Sequence, residues 1–167
     1  MPLLRKINKR RWDAVQEGIP WLPPGEFPAA PLADLSTTVE CELSVWQVYD
    51  DRSNLEWVIA GNAANLDHPD KFDYLLFDPQ VLDDLGIPLR VTAGGSVDPA
   101  ANEEWHRDLV ELRSGKIVAL AKSLSERAEK ARLLEPQVNE IIGRAIAARR
   151  FDKNRLRGKL RKAVLGE

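Results

Sequence analysis

The sequence predicts an α+β fold that is predominantly helical, with a small sheet and a helical C-terminal half. Apolar and polar side chains alternate over 38–48, a period of two that is typical of a half-buried strand. Its apolar face is formed by Val39, Cys41, Leu43 and Val45. A second short strand is predicted at 89–92, where two glycines end an apolar run. From Asp98 onward the apolar spacing is mainly helical.

Several segments have the start and stop signals of helices. A short helix is predicted within 3–17, where Leu4, Ile7, Trp12 and Val15 share one face. Others are predicted from 55 to about 66 and over 79–85, which Gly86 closes. The run 72–77 is apolar but too short to distinguish a strand from a helix.

The C-terminal half is predicted to contain three helices. Asp98 and Pro99 form a strong helix start, and helical phase then continues to about Leu133. A second helix is predicted from Pro136, with Val138, Ile141, Ile142 and Ala145 on its apolar face. Asp152 is the expected cap of a last helix that reaches Leu165.

We predict a single folding unit, which composition divides into three parts. Residues 1–35 are predicted to hold the N-terminal helix and an arm with prolines at 20, 23, 24, 28 and 31. The arm is expected to pack across the chain's own core, because proline disfavours both helix interiors and central strands. Residues 36–135 form an acidic α+β core, and 136–167 form a basic helical segment.

Charge is strongly polarised along the chain, although the net charge is only −2. Residues 13–111 carry twenty Asp or Glu against four Lys or Arg, whereas 144–167 carry nine Lys or Arg against two acidic residues. Such asymmetry indicates a charged partner, or one part of the chain folding onto another.

The sequence predicts a cytoplasmic location. Its single cysteine, Cys41, cannot form an internal disulfide and is expected to be a buried small hydrophobe. The basic N-terminus is not followed by the apolar region of a signal peptide. No apolar run approaches the length of a membrane span.

No catalytic, metal or cofactor site is predicted, because the motifs that would support one are incomplete. The glycine pair at 94–95 lacks the rest of a phosphate loop. Glu103 and His106 have the Glu-x-x-His spacing of helical di-iron proteins, but it occurs once where those proteins need it twice. The remaining weak candidates for an acidic ligand or metal site are Glu40, Glu42, Asp67, His68 and Asp70.

The basic C-terminus holds the most distinctive arrangement in the sequence. On a helical projection, Leu156, Leu160, Ala163 and Val164 form a narrow apolar stripe bordered by cations. The candidate partner-binding residues are Arg149, Arg150, Lys153, Arg155, Arg157, Lys159, Arg161 and Lys162.

Four interpretations of this stripe remain open. It could pack on the protein's own core while its cations meet the acidic body. It could dock on an acidic surface of another chain or of a second copy, bind nucleic acid, or lie on an anionic membrane. The only aromatic side chain within the basic tail is Phe151, so contact with nucleic acid would be to the backbone.

The first functional hypothesis is therefore a non-enzymatic interaction protein, such as a regulatory or accessory subunit, that docks through the basic helix. Nucleic-acid binding through the same helix is the alternative. A small enzyme or metal-binding or ligand-binding domain on the acidic face is the second alternative.

Overall fold

The computed structural model describes residues 1–16, 26–36, 40–66 and 69–166, and within these an antiparallel sheet of six strands is the central element. The strands are β1 (Leu3–Ile7), β2 (Leu43–Gln47), β3 (Lys71–Phe77), β4 (Leu89–Val91), β5 (His106–Leu109) and β6 (Glu129–Leu134). Their order is β4-β5-β2-β1-β3-β6. The strand nearest the N-terminus thus lies in the middle of the sheet.

Helices cover both faces of this sheet. They are α1 (Lys9–Gln16), α2 (Ala29–Leu32), α3 (Leu55–Ala63), α4 (Gln80–Leu85), α5 (Ser114–Arg127), α6 (Glu135–Ala147) and α7 (Gly158–Leu165). Short 3-10 turns span Ala33–Leu35 and Lys153–Arg155, and a π-helical turn spans Ala101–Trp105.

Alternating side chains of the central strands form two separate apolar layers. Leu4, Trp46 and Phe72 pack with α3, α6 and α7 on one face. Leu3 and Leu75 pack with α1, α4 and α5 on the other. Because a strand that is buried on both faces has no polar side, its sequence lacks the period of two that marks a half-buried strand.

The predicted small sheet in a predominantly helical protein is therefore wrong. Of the described residues, 49% lie in helices and 20% in strands, but the six strands form the layer on which both apolar cores are built. The residues 3–7, predicted as helix, form β1, and the undecided run at 72–77 belongs to β3. Residues 106–109 and 129–134, predicted within one long helix, form β5 and β6.

The strand predicted at 38–48 is shorter than the alternation indicates. Only Leu43–Gln47 is strand, and 37–39 lie outside the described residues. Cys41 has φ = 60°, so the left-handed backbone at this point ends the alternation, and its side chain is half-buried. The strand at 89–92 is found at Leu89–Val91.

The predicted helix ends agree with the structure more closely than the predicted strands do. The Asp98 carboxylate accepts hydrogen bonds from the backbone N–H groups of Ala100 and Ala101, as expected of a helix cap. Gly86 ends α4 with φ = 59°. The four apolar residues predicted for the helix after Pro136 are the buried ones of α6. No helix among the described residues is both long and apolar enough to cross a bilayer.

Candidate functional site

The basic C-terminal segment begins where α6 ends. Arg149 adopts φ = 57°, its N–H donates to the Ile146 carbonyl at 2.9 Å, and the Arg150 N–H donates to the Ala145 carbonyl at 3.0 Å. This pair of bonds is the arrangement by which a left-handed residue satisfies the last carbonyls of a helix. The chain therefore turns sharply at Arg149, and α6 does not continue into the basic segment.

Arg150 attaches the segment to the body of the protein. Its Nε donates to Asp98 Oδ2 at 2.9 Å, and Nη2 lies 2.8 Å from the same oxygen as an ion-pair contact rather than a well-directed hydrogen bond. The guanidinium carbon lies 5.0 Å from the ring centre of Trp105. Asp98 is 1% exposed, and its other oxygen caps the turn at 100–101. Arg150 thus contacts Asp98 and Trp105 within the fold.

Apolar side chains hold the rest of the segment. Phe151, Leu156 and Leu160 are buried in the core that contains α3 and α6, and Val164 packs against it half-buried. Three of the four stripe residues, Leu156, Leu160 and Val164, therefore face this chain's own core, as the first of the four interpretations predicts for the stripe, whereas Ala163 is exposed.

The basic segment is not one continuous helix. Asp152 accepts a hydrogen bond from the Asn154 N–H at 2.8 Å and caps only the 3-10 turn Lys153–Arg155. The chain is then extended at Leu156 and Arg157, and α7 begins at Gly158. The prediction of a helix starting at Asp152 is corrected by this break.

Six cationic side chains of this anchored segment are exposed to solvent. We call them the basic face: Arg149, Lys153, Arg155, Arg157, Lys159 and Lys162. None of them forms an ion pair with a carboxylate of the described residues. Arg161, the remaining predicted residue, is half-buried and has a partner of its own. The first turn of α7 contains no acidic residue.

The cations near the N-terminus are arranged differently. Arg5 donates from Nε and Nη2 to the Asp34 carbonyl and from Nη1 to the Ser44 carbonyl. Burial lowers the pKa of Arg5 to about 10 against the attraction of Asp34. Arg11 pairs with Asp34 at 2.6 Å, and Lys9 pairs with Asp13 at 2.8 Å. Arg5, Lys9 and Arg11 are thus held by hydrogen bonds or ion pairs within the fold.

The weak acidic candidates do not assemble into a catalytic or metal site. Glu40 and Glu42 line a surface pocket of about 380 Å³, where Glu42 is paired with Arg90. Asp67 and His68 lie outside the described residues, and Asp70 lines a different pocket, of about 240 Å³. No cluster of three or more His, Cys, Asp or Glu that could hold a metal ion occurs in the part of the chain that the structure describes.

The Glu-x-x-His pair is also separated by the fold. Glu103 is exposed on the π-helical turn, whereas His106 is buried on β5 with Nδ1 2.9 Å from the Thr92 hydroxyl. The two side chains therefore do not share a helix face, contrary to the prediction from their spacing. The contacts of Arg150 with Asp98 and Trp105 were not predicted from the sequence. Asp98 and Trp105 precede Arg150 by 52 and 45 positions, and only the tertiary structure brings them together.

Three comparisons with known proteins place no restriction on these interpretations. No family model, no curated protein and no solved structure matches the chain. The arrangement of the basic face is therefore the observation from which a function must be inferred.

Proposed function

We propose that the protein is a non-enzymatic nucleic-acid-binding protein, and that the basic face contacts the sugar–phosphate backbone. The observation that carries the proposal is the set of six exposed cations without a carboxylate partner among the described residues. Their side chains belong to a segment that is held in place by four residues with internal contacts: Arg150, Phe151, Leu156 and Leu160.

The burial of the apolar stripe disfavours the alternative of docking on another protein. The centre of a protein–protein interface is apolar and depleted of lysine. The side chains that would supply such a centre, Leu156 and Leu160, are 4% and 1% exposed. What the segment offers to a partner is charge, and phosphates are bound by Lys and Arg without an apolar contact.

Three of the twenty carboxylates in residues 13–111 are compensated within the fold and therefore do not oppose phosphate binding. Asp34, Asp73 and Asp98 each form an ion pair with an arginine and are largely buried. Their charge is therefore neutralised within the fold. The cations of the basic face have no carboxylate partner among the residues that the structure describes, so their field extends into solvent.

A salt titration with a matched pair of variants tests the proposal. Binding of labelled DNA and RNA is measured by fluorescence anisotropy over about 50 to 300 mM salt, where each phosphate contact contributes about 0.9 to the log–log slope for duplex. Arg155→Ala/Arg157→Ala should lower affinity about 30-fold at physiological salt and reduce the slope by about 1.8.

The control is Arg10→Ala/Arg113→Ala, which removes two exposed arginines that lie outside the basic face. It should change affinity less than about twofold, because long-range effects of exposed charges are screened. Equal losses in the two double variants would contradict the proposal. So would binding of an acidic polypeptide by the basic face in the absence of binding to DNA or RNA.

A further inference from the structure

We infer that the ligand of the basic face is duplex rather than single-stranded nucleic acid, and that Arg150 positions the face for it. This inference rests on the proposed function and names the class of ligand. It depends on two observations: how the segment is anchored, and where its aromatic side chain lies.

The anchors and the cations of the segment are interleaved. Arg150 and Phe151 are fixed between Arg149 and Lys153, and Leu156 is fixed between Arg155 and Arg157. Leu160 fixes the helix that carries Lys159 and Lys162. Each cation of the basic face lies within two residues of a buried side chain. The backbone positions that carry the cations are therefore held in a fixed arrangement.

A fixed array of cations suits a rigid ligand. Binding is less costly when neither partner loses much conformational freedom, and a duplex presents its phosphates at regular positions. A single strand is flexible and gains much of its affinity from bases that stack on exposed aromatic rings. Phe151 is the aromatic side chain within the segment, and it is only 7% exposed. The segment therefore offers contact to phosphates and not to bases.

Arg150 is a positioning residue in this arrangement. Its guanidinium lies over Trp105 and contacts Asp98, so it is not directed at a ligand. Asp98 in turn holds the turn at 100–101. Arg150 thereby fixes the first residues of the segment, including Arg149, to the body of the protein.

The first experiment compares duplex and single-stranded oligonucleotides of one length and sequence, as both DNA and RNA. With six contacts, the log–log slope should be about −5 for duplex and about −4 for a single strand. The corresponding preference for duplex is about tenfold at physiological salt. Equal or tighter binding of the single strand would overturn the inference. Binding of neither form would instead remove the proposed function.

The second experiment separates positioning from direct contact. Arg150→Gln should lower duplex affinity about tenfold and leave the salt slope unchanged, whereas Arg155→Ala should reduce the slope by about 0.9. If Arg150→Gln is unfolded at the assay temperature by circular dichroism, Arg150→Lys replaces it. Lysine keeps the charge but cannot reproduce the guanidinium contacts with Asp98 and Trp105. A reduced slope in the Arg150 variant, or full duplex affinity in Arg150→Lys, would overturn the positioning role.

Discussion

The two basic segments of the chain place the same residue types in different environments. Near the N-terminus, Arg5 and Arg11 bind Asp34, so their charge holds β1, α1 and the turn Ala33–Leu35 together. Near the C-terminus, the basic face is fixed from beneath by apolar side chains and its cations stay exposed. Arginine content alone therefore does not distinguish a charge that is paired within the fold from one that stays exposed.

The largest expected effect is a loss of stability when the internal contacts of the N-terminal cations are removed. Asp34 accepts hydrogen bonds from the Asn8 N–H, the Trp12 indole and Arg11. Asp34→Ala leaves these donors without a partner, so the free energy of unfolding should fall by about 3 to 5 kcal/mol. Chemical denaturation measures this change. Asp83→Ala, at an exposed position, is the control and should stay within about 0.5 kcal/mol. A loss of less than about 1 kcal/mol in Asp34→Ala would show that these contacts are not important for stability.

A smaller effect is expected from the apolar anchors of the C-terminal segment. Leu160→Ala removes a side chain that is 1% exposed and should cost about 2 to 3 kcal/mol. Lys159→Ala, next to it on the same helix, removes an exposed side chain and should change stability by less than about 0.5 kcal/mol. Thermal denaturation followed by circular dichroism compares the two. Equal stability of these variants would mean that α7 is not held by its apolar face.

The smallest expected effect concerns pH. Burial raises the pKa of Asp73, but hydrogen bonds from Arg132 and the Lys9 N–H outweigh it and bring the pKa below its usual value. This carboxylate therefore stabilises the fold above the ordinary pKa of about 4, and the contribution is lost as pH falls through the lowered value.

Asp73→Asn should accordingly lower stability at neutral pH by about 1 to 2 kcal/mol and lose less on acidification than the wild type. Urea denaturation at several pH values measures both quantities. Parallel stability curves for the two proteins across the acidic range would exclude a contribution from Asp73 titration.

Helix ends were predictable from sequence because their signals are local. Gly86 and Asp98 act through their own backbone or through neighbours two or three residues away. Strands were less predictable from sequence, because the pattern of apolar side chains along a strand depends on what covers each of its faces. Residues 3–7 contain apolar side chains three apart, as a helix does, and only burial of both faces makes them a central strand.

The candidate site was predictable in composition but not in arrangement. The cations of the basic face and the apolar stripe beneath them were identified from their spacing. The spacing did not indicate which cations stay exposed, because exposure depends on contacts with residues distant in sequence. Arg150 and Lys153 look equivalent in sequence, yet Arg150 is paired with Asp98, and Lys153 is exposed without an ion-pair partner among the described residues.

The central position of β1 also constrains the order in which the sheet can form. Leu3 pairs with Gln47 on one side and with Phe77 on the other, so both partners are synthesised long after β1. β6, which completes the opposite side of β3, follows only at residue 129. Contacts between such distant segments make folding slow. During translation, β1 therefore cannot complete its native pairing with β2 before residue 47 is synthesised, nor with β3 before residue 77.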